Sequence, residues 1–426
     1  MTDGAAHNHH FLFLQGLRSP FFWRLGKSLV AEGARVTKVQ FTSGDHLYWP
    51  GSALRCNVPE HGFADYYNQL LANSDFTDVV LFGDCRPVHQ PALAMARRLG
   101  LKVHVFEEGY FRPDWVTLER NGVNGYSALP CDPAWYEMVK NTLPRPPRPT
   151  AVGSSMTQRV LHDVAYNAGN LFNPVFYPGY NSHVPHSIPA EYWGYVKRFC
   201  RVHATRHRDH SVVTWLCTGD QPFFLVALQV PSDSQLTTHS NYRSCSEFLA
   251  EVFDSFAQYA DKDCLLVLKT HPLDPGIDKT DRTIQALAQQ HQLRSRIVLL
   301  ESGHLPTLLD HARGLITVNS TTIGQALFHR CPTIALGKSI YRMPGLTFMG
   351  ELNDFWPHAS DPEQARPNQS LYKAFRQVVL HGTQINGGLY TDRGIRLAIE
   401  HAIPNMLSAK GKLQTLLEQY PCEPGS

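Results

Sequence analysis

The sequence lacks paired cysteines. Its nine cysteines lie singly between Cys56 and Cys422, with no CxxC pair and no Cys/His cluster at zinc spacing. That pattern excludes a disulfide framework and a structural zinc site, and leaves the thiols as small hydrophobes of a reducing compartment. Long apolar runs are also missing. The longest, 223–228 with its flanks, is about ten residues, against the ~20 that a bilayer-spanning helix needs. No basic n-region precedes the short apolar segment 11–14, so no secretory signal is expected. Net charge is scarce as well. At +2 the chain is no polyanion binder of the histone kind, so no nucleic-acid partner is expected and an anionic partner needs a local basic patch. His7, His9 and His10 are expected to lie in a disordered terminus and not in a metal site.

What the chain does have is size and alternation. At 426 residues it exceeds one ordinary core, and 43% hydrophobic with 18% charged residues fits a packed globular protein. Apolar runs at 11–14, 36–41, 78–82 and 102–106 alternate with helical patterns, which predicts a parallel sheet covered on both faces. The proline-rich segment 143–149 can continue neither a helix nor a central strand, and reads as a connector. Alternation resumes with strands expected at 212–217, 223–229, 264–269, 297–300, 314–318 and 333–336. The predicted fold is therefore α/β and GT-B-like, with two Rossmann-type doubly wound domains facing a central cleft. The expected parts are a first Rossmann-like domain (1–150), a helical and loop connector (151–210), a second Rossmann-like domain (211–360) and C-terminal helices (361–426) packing back on the first domain. Ligands of such sheets bind outside the carboxyl ends of the strands, so chemistry is expected just after each strand.

Three strand ends carry suitable residues. In the first, Glu107 and Glu108 precede Gly109. Adjacent carboxylates on an extended backbone point to opposite sides, so one of them can face a substrate as general acid or base. In the second, Lys269 and His271 share a face before Pro272 stops the strand, a pair able to neutralise a phosphate. In the third, Asn319, Ser320, Thr321 and Thr322 introduce a helix, where hydroxyl caps and a phosphate site are compatible.

Taken together, these segments resemble a known family. Bacterial sialyltransferases and Kdo transferases of GT-B type share an acidic motif before glycine in the first domain. They also share an HP motif and a Ser/Thr-rich turn in the second. The wider text (FLQGLRSPFF, FEEGYFRPDWVTLERNGVNG, VALQVPSDSQL, LKTHPLD and NSTTIGQAL) is similar to capsule-polysaccharide proteins of the KpsS/LipB type across most of residues 11–350. The resemblance implies a retaining β-Kdo transferase. It would move Kdo from CMP-β-Kdo to a lysophosphatidylglycerol acceptor, the first residue of a capsule lipid linker. It further implies Asp233 as nucleophile within the stretch that begins at Gln229, with Glu107 or Glu108 as acid/base. Such relatives carry an acidic EDG where this chain has Glu-Glu-Gly, so the choice between the two glutamates stays open. No metal motif is present, and no cofactor is expected besides the donor substrate.

For the acceptor, Arg18 and Ser19 follow the first strand and Asp84 and Arg86 the third, on the expected acceptor side. Lys197, Arg198, Arg201, Arg206 and Arg208 form the densest positive run, interleaved with aromatics, and suit an anionic inner leaflet. The expected location is thus cytoplasmic and peripheral to the inner membrane, with other capsule assembly proteins as further partners. Two other readings remain: a GT-B transferase using another CMP- or UDP-sugar, and a non-catalytic scaffold of capsule assembly or export.

Overall fold

The computed structural model describes residues 6–146, 148–153, 156–179, 186–230, 236 and 238–422. The chain divides into two compact units. One comprises Met1–Pro130, Val139–His183 and Arg376–Pro424, and the other Cys131–Met138, Val184–Phe375 and Gly425–Ser426.

The central strands of the first unit are buried on both faces, as a sheet covered by helices requires. Its strands are β1 (His10–Phe13), β2 (Arg35–Gln40), β3 (Leu54–Arg55), β4 (Asp78–Phe82), β5 (Lys102–Glu108), β6 (Trp115–Arg120) and, from the far end of the chain, β12 (Gln384–Asn386). They lie in the order β12-β6-β5-β4-β1-β2-β3. β6 runs antiparallel to both β5 and β12, while the other pairings are parallel. In β1, Phe11 and Phe13 face one core with the helices Phe21–Ala31 and Asp392–Leu407. Leu12 and Leu14 face the other core, with the helices Phe63–Ala72 and Gln90–Arg98.

The second unit repeats the plan with β7 (Phe223–Ala227), β8 (Leu265–Lys269), β9 (Ile297–Leu300), β10 (Gly314–Thr317) and β11 (Thr333–Ala335). All are parallel, in the order β11-β10-β7-β8-β9. In both units the strand order reverses beside the first strand, between β1 and β4 and between β7 and β10. That reversal is the switch point where doubly wound sheets leave a crevice for ligands. The chain is thus α/β and GT-B-like in carrying two doubly wound units.

Two expectations are corrected. Residues 212–217 form no strand. They are the last turns of the long helix Ile188–Thr218, in which Val213 and Leu216 are buried one helical turn apart. A short apolar run is compatible with either element, and packing against β7 and β8 decided for the helix. The N-terminal histidines are ordered from His7 onward. His9 Nδ1 bonds Asp78 at 2.6 Å, His10 bonds Asp75 at 2.7 Å, and Asp78 in turn binds His104 at 2.7 Å.

Candidate functional site

In the first unit the switch point is held together by Arg86, which reaches from beyond β4 to Gln15 Oε1 (3.2 Å) and to the Gly16 carbonyl (2.8 Å). Beside it stands the end of β5. Gly109 allows the chain to turn there, because a Cβ at that position would lie 2.1 Å from the Trp115 carbonyl oxygen. The two glutamates just before the turn part as the pleat requires. Glu107 lies over Gly83, where an added Cβ would meet its Oε2 at 3.3 Å, and Glu107 Oε1 accepts the Glu108 N–H (2.9 Å). Burial pushes its carboxyl up to about 7. The Glu108 N–H opposes the shift, the Glu108 charge adds to it, and Arg86 and Arg112 pull it back.

Glu108 takes the opposite direction. It pairs with Arg159 (3.2 Å) and accepts from the Tyr390 hydroxyl (3.2 Å), while Arg159 stacks over the Tyr390 ring at 5.1 Å. These groups line a cavity of about 280 Å³, whose walls include Arg112, Trp115, Val152, Met156 and Leu389. The two carboxyls thus stand in different surroundings: Glu107 is held where burial raises its pKa, and Glu108 is held in an ion pair.

In the second unit, Gln229 follows β7 and Asn319 follows β10, and the switch point brings them together. Gln229 Nε2 donates to Asn319 Oδ1 at 2.8 Å. Gln229 is 9% exposed, and its Oε1 has no hydrogen-bond partner among the described residues. A buried acceptor left open beside a ligand crevice is a place for a ligand donor group. The turn that follows is tied by its hydroxyls. Ser320 Oγ accepts the Thr322 N–H (3.2 Å) and bonds Thr322 Oγ1 (2.9 Å), while Thr321, the residue before the helix, makes no capping bond. That helix, Thr322–Phe328, has only seven residues, so the turn's hydroxyls, not a long dipole, are what it offers.

At the end of β8 the Lys269 carbonyl accepts the Leu228 N–H (3.0 Å), so the Gln229 stretch starts alongside this terminus. The Lys269 ammonium is partly buried and its pKa is lowered, first by burial and then by Arg198. His271 Nδ1 accepts the Leu273 N–H (3.1 Å) at the turn that Pro272 begins. Asp233 lies outside the described residues.

The structure gives the remaining expected site residues these surroundings. Ser19 is buried and its hydroxyl accepts the Phe21 N–H, which stabilises the entry to a helix. Asp84 is buried and accepts the Val123 N–H at 2.9 Å. Arg18 pairs with Asp163 and lies over the Tyr166 ring at 5.3 Å. The five-residue basic patch is broken up by the helix that carries it. Arg198 is buried and donates to the Asp274 carbonyl and Thr270 Oγ1 (both 3.0 Å), with Glu301 at 3.8 Å. Arg201 pairs with Glu301 (3.3 Å), while Lys197, Arg206 and Arg208 are exposed, Arg208 with an ion pair to Asp209 (2.7 Å). A positive run read along a sequence is dispersed around a helix because successive residues turn by about 100°.

Reading the sequence missed Arg159, Tyr390 and Lys38. Lys38 is fully buried on β2, donates to the Leu14 carbonyl, and has its pKa lowered to about 8 by burial. A lysine amid a strand's apolar residues was the available signal for it, whereas nothing local links Tyr390 to Glu108.

The family model of the capsule polysaccharide biosynthesis proteins matches residues 77–390. The chain is 33% identical over 383 residues to the capsule polysaccharide export protein KpsS of Escherichia coli, covering 89% of this chain and 96% of that protein. It is 32% identical over 393 residues to the capsule polysaccharide modification protein LipB of Neisseria meningitidis serogroup B, covering 90% and 92%. Among solved structures it resembles a β-Kdo 2,7 transferase, KpsC of Thermosulfurimonas dismutans, with a TM-score of 0.44 at 13% identity over 93% of this chain and 99% of that one.

Proposed function

The chain belongs to the capsule polysaccharide biosynthesis family, and on that premise we propose that it is a retaining β-Kdo glycosyltransferase. In this reading it moves Kdo from CMP-β-Kdo to lysophosphatidylglycerol, the first residue of a capsule's lipid linker. The observation that carries the transferase reading is Glu107, a carboxyl at a strand end beside the switch point with its pKa raised to about 7. A carboxylate of that basicity suits removal of a proton from an acceptor hydroxyl near neutral pH.

Two displacements keep the β configuration. The Asp233 carboxylate attacks the anomeric carbon of Kdo, the bond to the CMP phosphate oxygen breaks, and CMP leaves with the electron pair. In the second step the Glu107 carboxylate takes the proton of the acceptor hydroxyl. The acceptor oxygen bonds to the anomeric carbon and the Asp233 carboxylate departs. Gln229 Oε1 accepts from a donor-sugar or nucleotide hydroxyl or amine. Lys269, His271 and the hydroxyls of Ser320, Thr321 and Thr322 face the phosphate charge. One phosphate can be balanced by these groups, so the reaction is expected to proceed in excess EDTA. On the acceptor side, Arg112 and Arg159 at the cavity beside Glu108 suit the anionic headgroup.

The test is incubation with CMP-Kdo generated in situ and a fluorescent lysophosphatidylglycerol, read by mass spectrometry beside a panel of other CMP- and UDP-sugars. A product heavier by one Kdo, formed from CMP-Kdo alone, supports the proposal. Product from another sugar nucleotide moves the chain to a different donor, and no product with any donor leaves the scaffold reading.

A further inference from the structure

The helix Met156–Asn170 and the short helix Asn173–Phe176 after it are inverted relative to an ordinary surface helix. From Arg159 onward their polar side chains turn toward the protein, while Thr157 and Gln158 are exposed. Tyr48 bonds His162 (2.9 Å), Arg18 pairs with Asp163, and Tyr166 bonds Thr42 (2.9 Å) and Asp45 (3.1 Å). Asn170 accepts the Gly44 N–H (2.9 Å) and Asn173 the Ser43 N–H (2.7 Å). The apolar side chains face outward. Met156, Val160, Val164, Leu171, Phe172 and Val175 recur at helical spacing and are all exposed, with Leu171 at 68% and Val175 at 73%. A soluble surface helix buries its apolar stripe and wets its polar one, so this stripe is built for a cover.

Charge identifies the cover. No Asp, Glu, Lys or Arg side chain is exposed between 156 and 179 among the described residues, since Arg159 and Asp163 turn toward Glu108 and Arg18. The rim, by contrast, is basic. Exposed Arg55 lies over the Phe176 and Tyr177 rings (5.9 and 5.5 Å), and exposed Arg112 stands at the cavity that Met156 also lines. An uncharged apolar stripe with aromatics and a cationic rim complements the anionic face of a lipid bilayer, with the apolar side chains at the acyl boundary.

We propose that the outward face of residues 156–176 seats this protein on an anionic membrane surface, with the cavity at Met156, Arg112 and Arg159 opening at the stripe's first turn. That the cavity draws its acceptor from the leaflet rests on the lipid-acceptor reading above. The seating itself does not.

The experiment is flotation of the full-length protein with phosphatidylglycerol vesicles and with phosphatidylcholine vesicles, in the absence of any sugar donor. Wild type is expected to float with the anionic vesicles and about tenfold less with the neutral ones. The variant Val160→Ser/Val164→Ser/Leu171→Ser/Phe172→Ser/Val175→Ser is expected to lose at least tenfold in bound fraction while keeping its circular dichroism and melting midpoint. As a second measurement that leaves the stripe intact, the tryptophan emission of Val175→Trp should shift to the blue when anionic vesicles are added. Flotation of the five-serine variant equal to wild type overturns the proposal, as does a Val175→Trp spectrum indifferent to vesicles. So does a wild type that never floats but forms a dimer which the five-serine variant loses, because the cover is then a second copy. Loss of flotation in the five-serine variant, with no transfer to any acceptor by wild type, upholds the seating while sinking the transferase reading.

Discussion

Glu107 makes a measurable claim. With its carboxyl at about 7, the ionised fraction falls from about nine-tenths at pH 8 to about one-tenth at pH 6, since each unit from the pKa is tenfold. A base that must be ionised therefore gives a kcat/KM about tenfold lower at pH 6 than at pH 8. A carboxyl near its ordinary value of ~4.3 would change by only a few per cent over that range. The neighbours fix the direction of two further shifts. The Arg112 charge favours the carboxylate, so Arg112→Ala should move the limb to higher pH. The Glu108 charge disfavours it, so Glu108→Gln should move the limb to lower pH. Glu107→Gln should cost about 10²–10⁴ in rate and flatten the profile. The assay is the initial rate of Kdo transfer to fluorescent lysophosphatidylglycerol from pH 5.5 to 8.5. A wild-type profile flat between pH 6 and 8, or a Glu107→Gln enzyme that keeps the limb, refutes the assignment. Loss of the limb in Glu108→Gln instead would transfer the role to Glu108.

Four other outcomes follow from the geometry. Gln229→Met removes both the Oε1 acceptor, which has no partner among the described residues, and the bond to Asn319, so the two effects on stability offset to within about 1 kcal/mol while the KM for the donor increases; an unchanged KM contradicts the ligand role. Gly109→Ala places a Cβ 2.1 Å from the Trp115 carbonyl, so the β5–β6 turn must open, and a clear loss of melting temperature by circular dichroism is expected. Burial, then the Arg120 charge, outweigh the Asp78 bond and lower the His104 pKa to about 4. The folded state therefore binds fewer protons than the unfolded one between pH 6.5 and 4, and stability falls as pH drops through that window by up to about 3 kcal/mol; urea midpoints at pH 7 and 4.5 should show this, and His104→Gln should flatten it. Arg198→Met removes the bonds to the Asp274 carbonyl and Thr270 Oγ1 and leaves Glu301 with Arg201 alone, so it should destabilise by about 1–3 kcal/mol in urea melts, whereas Lys197→Ser/Arg206→Ser on the exposed face should leave the midpoint unchanged.

Much of the fold was legible because β7, β8 and β10 are continuous apolar runs, which a strand covered on both faces must be. The glutamates before Gly109 were legible for a similar reason: a strand end with a forced turn is a local feature. The run 212–217 was misread because six apolar-rich residues fit a strand or a helix until a sheet packs against two of them. Within the basic run, Arg198 was misread for a different reason. Charge counted along a sequence ignores the rotation of the helix, and Arg198 turned inward to Thr270 and the Asp274 carbonyl.

By itself, the sequence determined the strand runs, the turn after Glu108 and the residue types that end β5, β8 and β10, because each depends on periodicity or sterics within a few residues. Only the tertiary structure gave the two adjacent glutamates different surroundings, raising the pKa of Glu107 and pairing Glu108 with Arg159. The difference lies in surroundings supplied by distant segments: Gly83 and Arg86 for Glu107, and Arg159 with Tyr390 for Glu108. Likewise only the fold turned the polar side of the helix Met156–Asn170 inward and left its apolar side uncovered. An amphipathic pattern states that two faces differ, and what packs against each face decides which one meets water.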